Sequence, residues 1–146
     1  MKKEIAIWNI MHDGEITAVE KGLNGLYTMF INMPYLRRRI KPLGDSFVLI
    51  LSGVKQIIFR DFGGTISTIE DELGCSVPEI LYTESETMPV CVETTAGTLI
   101  LDYESMNLKL DTGQPVKFET IETTCHEYWD ELKKRTESNR TALESQ

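Results

Sequence analysis

The sequence predicts an α+β fold: a mostly antiparallel sheet or sandwich of about eight strands, one short helix and a long C-terminal helix. Strand-like segments follow one another with only brief turns between them, and connections that short join antiparallel strands. A different pattern begins at Phe118, where apolar residues spaced three and four apart indicate a helix face. The chain of 146 residues has the size of one domain. We place that domain at residues 1–137, followed by a polar tail at 138–146.

Strand signals dominate the N-terminal part of the chain. The first predicted strand ends at His12-Asp13-Gly14, because Asp-Gly between two such segments is a typical hairpin turn. Pro34 interrupts the third strand, since proline donates no hydrogen bond to a ladder. The fourth is apolar between its two end serines, which predicts a central strand covered on both faces. The predicted strands are Glu4–Met11, Glu15–Glu20, Leu26–Asn32, Ser46–Ser52, Lys55–Phe62, Glu79–Tyr82, Pro89–Thr94, Thr98–Tyr103 and Met106–Leu110.

Two helices complete the predicted fold. The short one, Ser67–Leu73, combines a capping-box pair, Ser67 and Glu70, with a glycine directly after its end. The long one follows Gly113 and Pro115, which are typical of a helix start. Its apolar side chains share one helix face, which we expect to pack against the sheet. These side chains are Phe118, Ile121, Cys125, Tyr128 and Leu132.

Charge divides the chain in two. Residues 1–62 carry nine Lys/Arg and six Asp/Glu, whereas residues 63–146 carry six and seventeen, so the net charge of −8 arises in the second half. An acidic chain repels phosphate backbones, which argues against a nucleic-acid partner. The exception is Arg37-Arg38-Arg39 beside Tyr35. We expect these arginines to lie in a solvated loop or to pair with the acidic half, and an anion site is the alternative.

Composition also bears on the compartment. No stretch reaches the roughly 20 apolar residues of a membrane span, and the first residues lack the pattern of a secretory signal. Cys75, Cys91 and Cys125 are odd in number and widely spaced, which favours reduced thiols. We therefore expect a cytoplasmic protein with no membrane partner and no cofactor.

Two short motifs suggest catalysis, and each also has a structural interpretation. The Asp-Thr-Gly motif that starts at Asp111 resembles that of aspartic proteases, but it also suits any strand-to-helix turn. The pair His12 and Asp13 resembles the metal pair of HD-type phosphohydrolases, yet the chain holds only one other histidine, His126. We therefore predict no catalytic or metal-ligating residue. A small hydrolase that uses Asp111, or His12 and Asp13, remains the alternative.

The acidic side chains between residues 70 and 104 are the predicted binding residues. They lie on the short helix and on or near the later strands, where they would form a face for a basic protein. Complementary charge of this kind raises association rates and rejects wrong partners. The sequence thus predicts a non-enzymatic binding protein with an acidic face. Its predicted binding residues are Glu70, Asp71, Glu72, Glu84, Glu86, Glu93, Asp102 and Glu104.

The first sixty or so residues also resemble small bacterial immunity proteins of polymorphic-toxin systems. In some of these, a strand ends in a His-Asp turn and leads to another strand, with a glycine-containing strand pair further on. The matching pieces are Trp8, His12-Asp13-Gly14-Glu15-Ile16, and Ser52-Gly53-Val54 through Phe59. The resemblance implies a cytosolic protein that binds a toxin and has no enzymatic activity, and it carries over no catalytic residue.

Overall fold

The chain folds into two antiparallel sheets with helices packed around them, in a computed structural model that describes residues 2–144. In chain order the elements are α1 (Lys3–Ile10), β1 (Glu15–Lys21), β2 (Tyr27–Asn32), α2 (Pro34–Ile40), β3 (Ser46–Ser52), β4 (Gln56–Asp61), β5 (Ile66–Ser67), α3 (Ile69–Leu73), β6 (Ile80–Thr83), β7 (Val90–Thr94), β8 (Gly97–Asp102), β9 (Ser105–Leu110) and α4 (Phe118–Glu144). The first sheet has the strand order β1-β2-β3-β9, and the second has the order β5-β4-β8-β7-β6. The predicted α+β class is confirmed.

The two sheets meet where β1 begins beside β6. The Ile16 N–H donates to the Pro78 carbonyl at 2.9 Å, and the Ile80 N–H donates to the Gly14 carbonyl at 2.8 Å. Glycine is needed at position 14, because a Cβ atom there would lie 2.6 Å from Cγ2 of Ile31. The predicted turn at His12-Asp13-Gly14 therefore exists, but it joins the helix α1 to β1. It forms backbone hydrogen bonds with β6 and does not close a hairpin.

One continuous core joins the inner faces of both sheets. In β3 the side chains of Phe47, Leu49 and Leu51 are fully buried, whereas Val48 and Ile50 between them are only partly buried. The strand lies between β2 and β9, as expected of a central strand. Only one of its faces is fully covered, so the prediction of two covered faces is wrong.

Residues 4–11, predicted as a strand, instead form α1 and the residue that follows it. Ile5, Ile7 and Trp8 are each at most 1% exposed. The buried residues of this helix, Ile5, Ile7, Trp8 and Ile10, are distributed around its axis, so its sequence lacks the one-sided period of a surface helix. The indole Nε1 of Trp8 donates to the Tyr103 hydroxyl at 3.0 Å, which joins this helix to the end of β8.

Pro34, predicted to break a strand, begins the helix α2. Proline suits a first helical position, where the missing N–H would have no partner in the helix. The expectation of a solvated arginine loop is wrong, because the three arginines lie on this helix and Arg37 is fully buried. Pairing with the acidic half is confirmed for two of them: Arg37 with Asp111 and Arg39 with Glu131.

The predicted apolar face of α4 holds for its first three turns only, and it packs mainly against α1 and α2, so the expectation that it would cover the sheet is wrong. Ile121 and Cys125 are buried, and Phe118 and Tyr128 are half-buried. Leu132 is 37% exposed, so its predicted place in the packed face is wrong. The helix has left the body of the protein by this point.

The second half of α4 projects into solvent. Every residue from 130 to 143 is exposed, and at a rise of 1.5 Å per residue this overhang is about 20 Å long. Residues 138–146, predicted as a polar tail, are helical through Glu144. Ser145 and Gln146 lie outside the described residues, as does Met1 at the other end.

The short helix α3 is capped by a different residue from the one predicted. The Thr68 side chain, not that of Ser67, accepts a hydrogen bond from the Asp71 N–H at 3.2 Å. The predicted capping box of Ser67 and Glu70 is therefore wrong, because the capping residue lies one position later, although the helix itself is confirmed.

Two further observations concern the cysteines and the membrane. Cys75 is exposed, Cys91 is half-buried and Cys125 is buried, and all three are free thiols. Within residues 2–144, no helix combines the length and the apolar character needed to cross a membrane.

Candidate protein-binding surface

The outer face of the second sheet carries an apolar row. Ile58 of β4, Ile100 of β8 and Cys91 of β7 lie opposite one another across three neighbouring strands. Because side chains alternate along a strand, these three point away from the core that buries Phe59 and Leu99. All three are partly exposed. We call Ile58, Ile100 and Cys91 the apolar row.

A polar row runs beside it on the same face. Arg60, Thr98 and Glu93 are aligned across β4, β8 and β7, and Tyr82 of β6 lies opposite Glu93. The Thr98 hydroxyl donates to Oε2 of Glu93 at 2.9 Å, which fixes that carboxylate on the sheet. Tyr82 is 47% exposed. An accessible aromatic ring thus lies next to a positioned negative charge.

The sheet also brings together acidic residues that are distant in the sequence. Glu84 and Glu93 line one shallow groove of about 300 Å³, together with Tyr82, Ser85 and Cys91. Since Cys91 belongs to the apolar row, this groove joins the apolar row to the two carboxylates.

A second groove lies on the other side of the loop that connects β6 and β7. Its volume is about 190 Å³, and Glu4, Glu86 and Glu104 line it, with Lys2 as the one cation. The loop itself contributes Glu84 to the first groove and Glu86 to the second. Carboxylates therefore occupy both sides of this loop.

Four of the eight predicted binding residues line these two grooves, Glu84 and Glu93 the first and Glu86 and Glu104 the second. Asp102 follows Ile100 by two positions on β8, so it shares the outward face of the sheet. We call the apolar row, Tyr82 and these five carboxylates the acidic surface. The five carboxylates are Glu84, Glu86, Glu93, Asp102 and Glu104.

The other three predicted binding residues lie elsewhere. Glu70, Asp71 and Glu72 are on α3, which packs against β1 and β4. They line neither groove. Glu72 accepts a hydrogen bond from the Ser76 hydroxyl at 2.7 Å, so it also stabilises the end of its own helix.

Asp111, the candidate catalytic aspartate, holds the buried Arg37. The arginine Nε donates to Oδ1 at 2.9 Å and Nη2 lies 2.8 Å from the same oxygen, while the N–H groups of Asp45 and Ser46 donate to Oδ2 at 2.9 and 3.2 Å. Burial raises the pKa of Asp111, but the hydrogen bonds from Asp45, Arg37 and Ser46 outweigh it and lower the pKa overall. Both carboxylate oxygens are thus engaged in holding the connection between α2 and β3, which favours a structural role.

His12 and Asp13 are likewise tied into the fold. One His12 ring nitrogen, Nδ1, lies 2.8 Å from the Asn9 carbonyl, and the ring stacks on Trp129 with centroids 5.1 Å apart. Nε2 lies 3.8 Å from the Asp13 carboxylate. No group of three or more His, Cys, Asp or Glu side chains able to hold a metal ion occurs within the described residues.

Comparison with known proteins gives no relative. No family model matches the chain, and neither a curated protein nor a solved structure matches it significantly.

The apolar row was missed from the sequence, although a signal was present. In β4, residues 57–59 are consecutive apolar residues, as are residues 99–101 in β8. Because side chains alternate, an uninterrupted apolar segment places apolar groups on both faces of a strand.

Proposed function

We propose that this protein is a non-enzymatic, cytoplasmic binding protein that binds a basic protein through the acidic surface. One observation carries the proposal: Glu84 and Glu93 share a groove with the exposed Tyr82 and with Cys91 of the apolar row. Asp102 lies on the same face of the sheet, and Glu86 and Glu104 add negative charge in the neighbouring groove. Interfaces commonly have an apolar centre and a polar rim, and tyrosine is enriched in them. Positive charges on the partner would pair with the carboxylates, so the partner could contact the apolar row without leaving buried carboxylates unpaired.

The resemblance of the first sixty or so residues to immunity proteins motivates a more specific version of this proposal, although the helix α1 stands where that resemblance expects a strand before the His-Asp turn. The partner would then be a basic toxin, held by the acidic surface so that its own functional face is covered. Negative charge on one partner and positive charge on the other would speed encounter, since steering raises association rates well above those of neutral pairs. The three free thiols fit a reducing compartment.

A charge-matched pair of variants tests the proposal. The first replaces Glu84, Glu86 and Glu93 with glutamine, and we expect it to bind a lysine-rich peptide that contains tyrosine and leucine at least about tenfold more weakly than the wild type does. Isothermal titration at low salt gives the affinities. Binding by the wild type should also be weaker at about 0.5 M salt, because salt screens the attraction between the carboxylates and the lysines of the peptide.

The control variant removes the same number of charges from α3, as Glu70→Gln, Asp71→Asn and Glu72→Gln. We expect its affinity to stay within about threefold of the wild type. Equal losses in both variants would mean that only net charge matters, and an unchanged first variant would mean that the acidic surface is not the binding face.

A further inference from the structure

A third groove, lined mainly by positive charges, lies along β9 at the edge of the first sheet. It has a volume of about 410 Å³ and follows β9 to the start of α4. Three lysines line it, Lys3 of α1, Lys109 of β9 and Lys117 before α4, against a single carboxylate, Glu119. In a chain of net charge −8, this concentration of positive charge is unusual.

The backbone of β9 is open along part of this groove. As an end strand, β9 pairs with β3 on one edge only. On its other edge the Leu110 N–H donates to the Gln114 carbonyl at 2.8 Å, and the Val116 N–H donates to the Leu108 carbonyl at 3.1 Å. These two bonds cover only the C-terminal half of the strand.

Strand geometry shows which groups remain free. Backbone groups of every second residue point to the same edge of a strand. Because Leu108 and Leu110 use that outer edge, the N–H and carbonyl of Met106 also point there. No backbone hydrogen bond to that edge of Met106 is formed within residues 2–144. Met106 is only 6% exposed, but it lines the groove, so its outward-pointing N–H and carbonyl lie along the same groove as the three lysines.

We propose that this groove binds an extended acidic peptide segment, which adds a strand to the free edge of β9. Main-chain hydrogen bonds to Met106 would supply the pairing, as in other cases of strand addition. Lys3, Lys109 and Lys117 would select carboxylates, and the half-buried Ile50 and Phe118 would contact the apolar side chains of the peptide.

Charge excludes a second copy of this chain as the occupant. Pairing of two β9 edges around a twofold axis would bring the same three lysines of each copy together, and like charges at an interface are strongly unfavourable. An acidic segment of another protein removes that repulsion. This groove shares no residue with the acidic surface, so the two proposals are tested independently.

A six-residue peptide of alternating glutamate and valine, blocked at both ends, is the probe. We expect wild-type protein to bind it, with the Met106 amide protected from hydrogen exchange in the complex. The variant Lys3→Gln, Lys109→Gln, Lys117→Gln should bind at least about tenfold more weakly. A peptide methylated at every amide nitrogen should not bind, because it cannot donate to the ladder.

The overhang of α4 supplies the matched control, as Lys133→Gln, Lys134→Gln, Arg135→Gln removes three cations far from the groove along an exposed helix. Its affinity should stay near that of the wild type. The proposal is overturned if the probe fails to bind at about 1 mM, if the methylated peptide binds equally well, or if the overhang variant loses as much affinity as the groove variant.

Discussion

Replacing Arg37 with methionine is expected to lower the free energy of unfolding by about 3–5 kcal/mol. The guanidinium is fully buried, and besides Asp111 it donates to the Lys41 carbonyl at 2.8 Å and to the Leu43 carbonyl at 2.6 Å. Methionine fills similar space but leaves these acceptors without their donors. Urea denaturation of the two proteins under identical conditions measures the difference.

Arg38 provides the control for this prediction. It is exposed and donates one hydrogen bond, from Nε to the Gly44 carbonyl at 3.1 Å. Arg38→Met should therefore cost no more than about 1 kcal/mol. If Arg37→Met is no more destabilising than Arg38→Met, the buried ion pair does not stabilise the fold as we describe.

The same ion pair predicts a pH dependence with a definite sign. Because the pKa of Asp111 in the folded protein lies below its ordinary value of 3.8, its contribution is fully present above that pH. The contribution is lost as the pH falls through the lower folded pKa. The stability difference between the wild type and Asp111→Asn should therefore be constant above about pH 5 and shrink below about pH 4.

Trp8→Ala is expected to cost about 3–5 kcal/mol, the range for removing a large aromatic side chain from a core. Trp8 is completely buried on α1, and its indole donates to the Tyr103 hydroxyl. The substitution leaves a cavity and takes away one of the hydrogen-bond partners of Tyr103. Thermal and urea unfolding both measure this loss.

Trp8→Phe separates packing from hydrogen bonding. Phenylalanine retains most of the apolar contact but cannot donate, so we expect a smaller loss than for alanine. Part of that loss arises because the Tyr103 hydroxyl loses its donor, although it still donates to the Glu4 carbonyl. Burial raises the pKa of that hydroxyl, which therefore stays neutral. A loss below about 1 kcal/mol for Trp8→Ala would show that α1 is not part of the core.

The sequence predicted most strands because their signals are local. Turn residues and alternating or continuous apolar segments identified β1 to β4 and β6 to β9, and the three-and-four spacing identified α4. The same logic failed for α1. Ile5 and Ile7 alternate like a strand, and the buried residues of this eight-residue helix do not follow the spacing of a single helix face.

Long-range pairs were beyond sequence reasoning. Arg37 and Asp111 are separated by 74 positions, and their contact depends on α2 packing beside the end of β9. A run of three arginines gives no local sign that one of them is buried. The grouping of Glu84 with Glu93, and of Glu86 with Glu104, likewise depends on how β6, β7 and β8 are arranged, whereas the acidic excess itself was visible in the composition.

Nuclear magnetic resonance titration of the wild type with the lysine-rich peptide tests the proposed binding face most directly. We expect the amide resonances that shift to be those of the acidic surface, above all Tyr82, Glu84, Cys91, Glu93 and Ile100. Shifts concentrated on α3 or on the α4 overhang, with those five resonances unmoved, would contradict the proposed function.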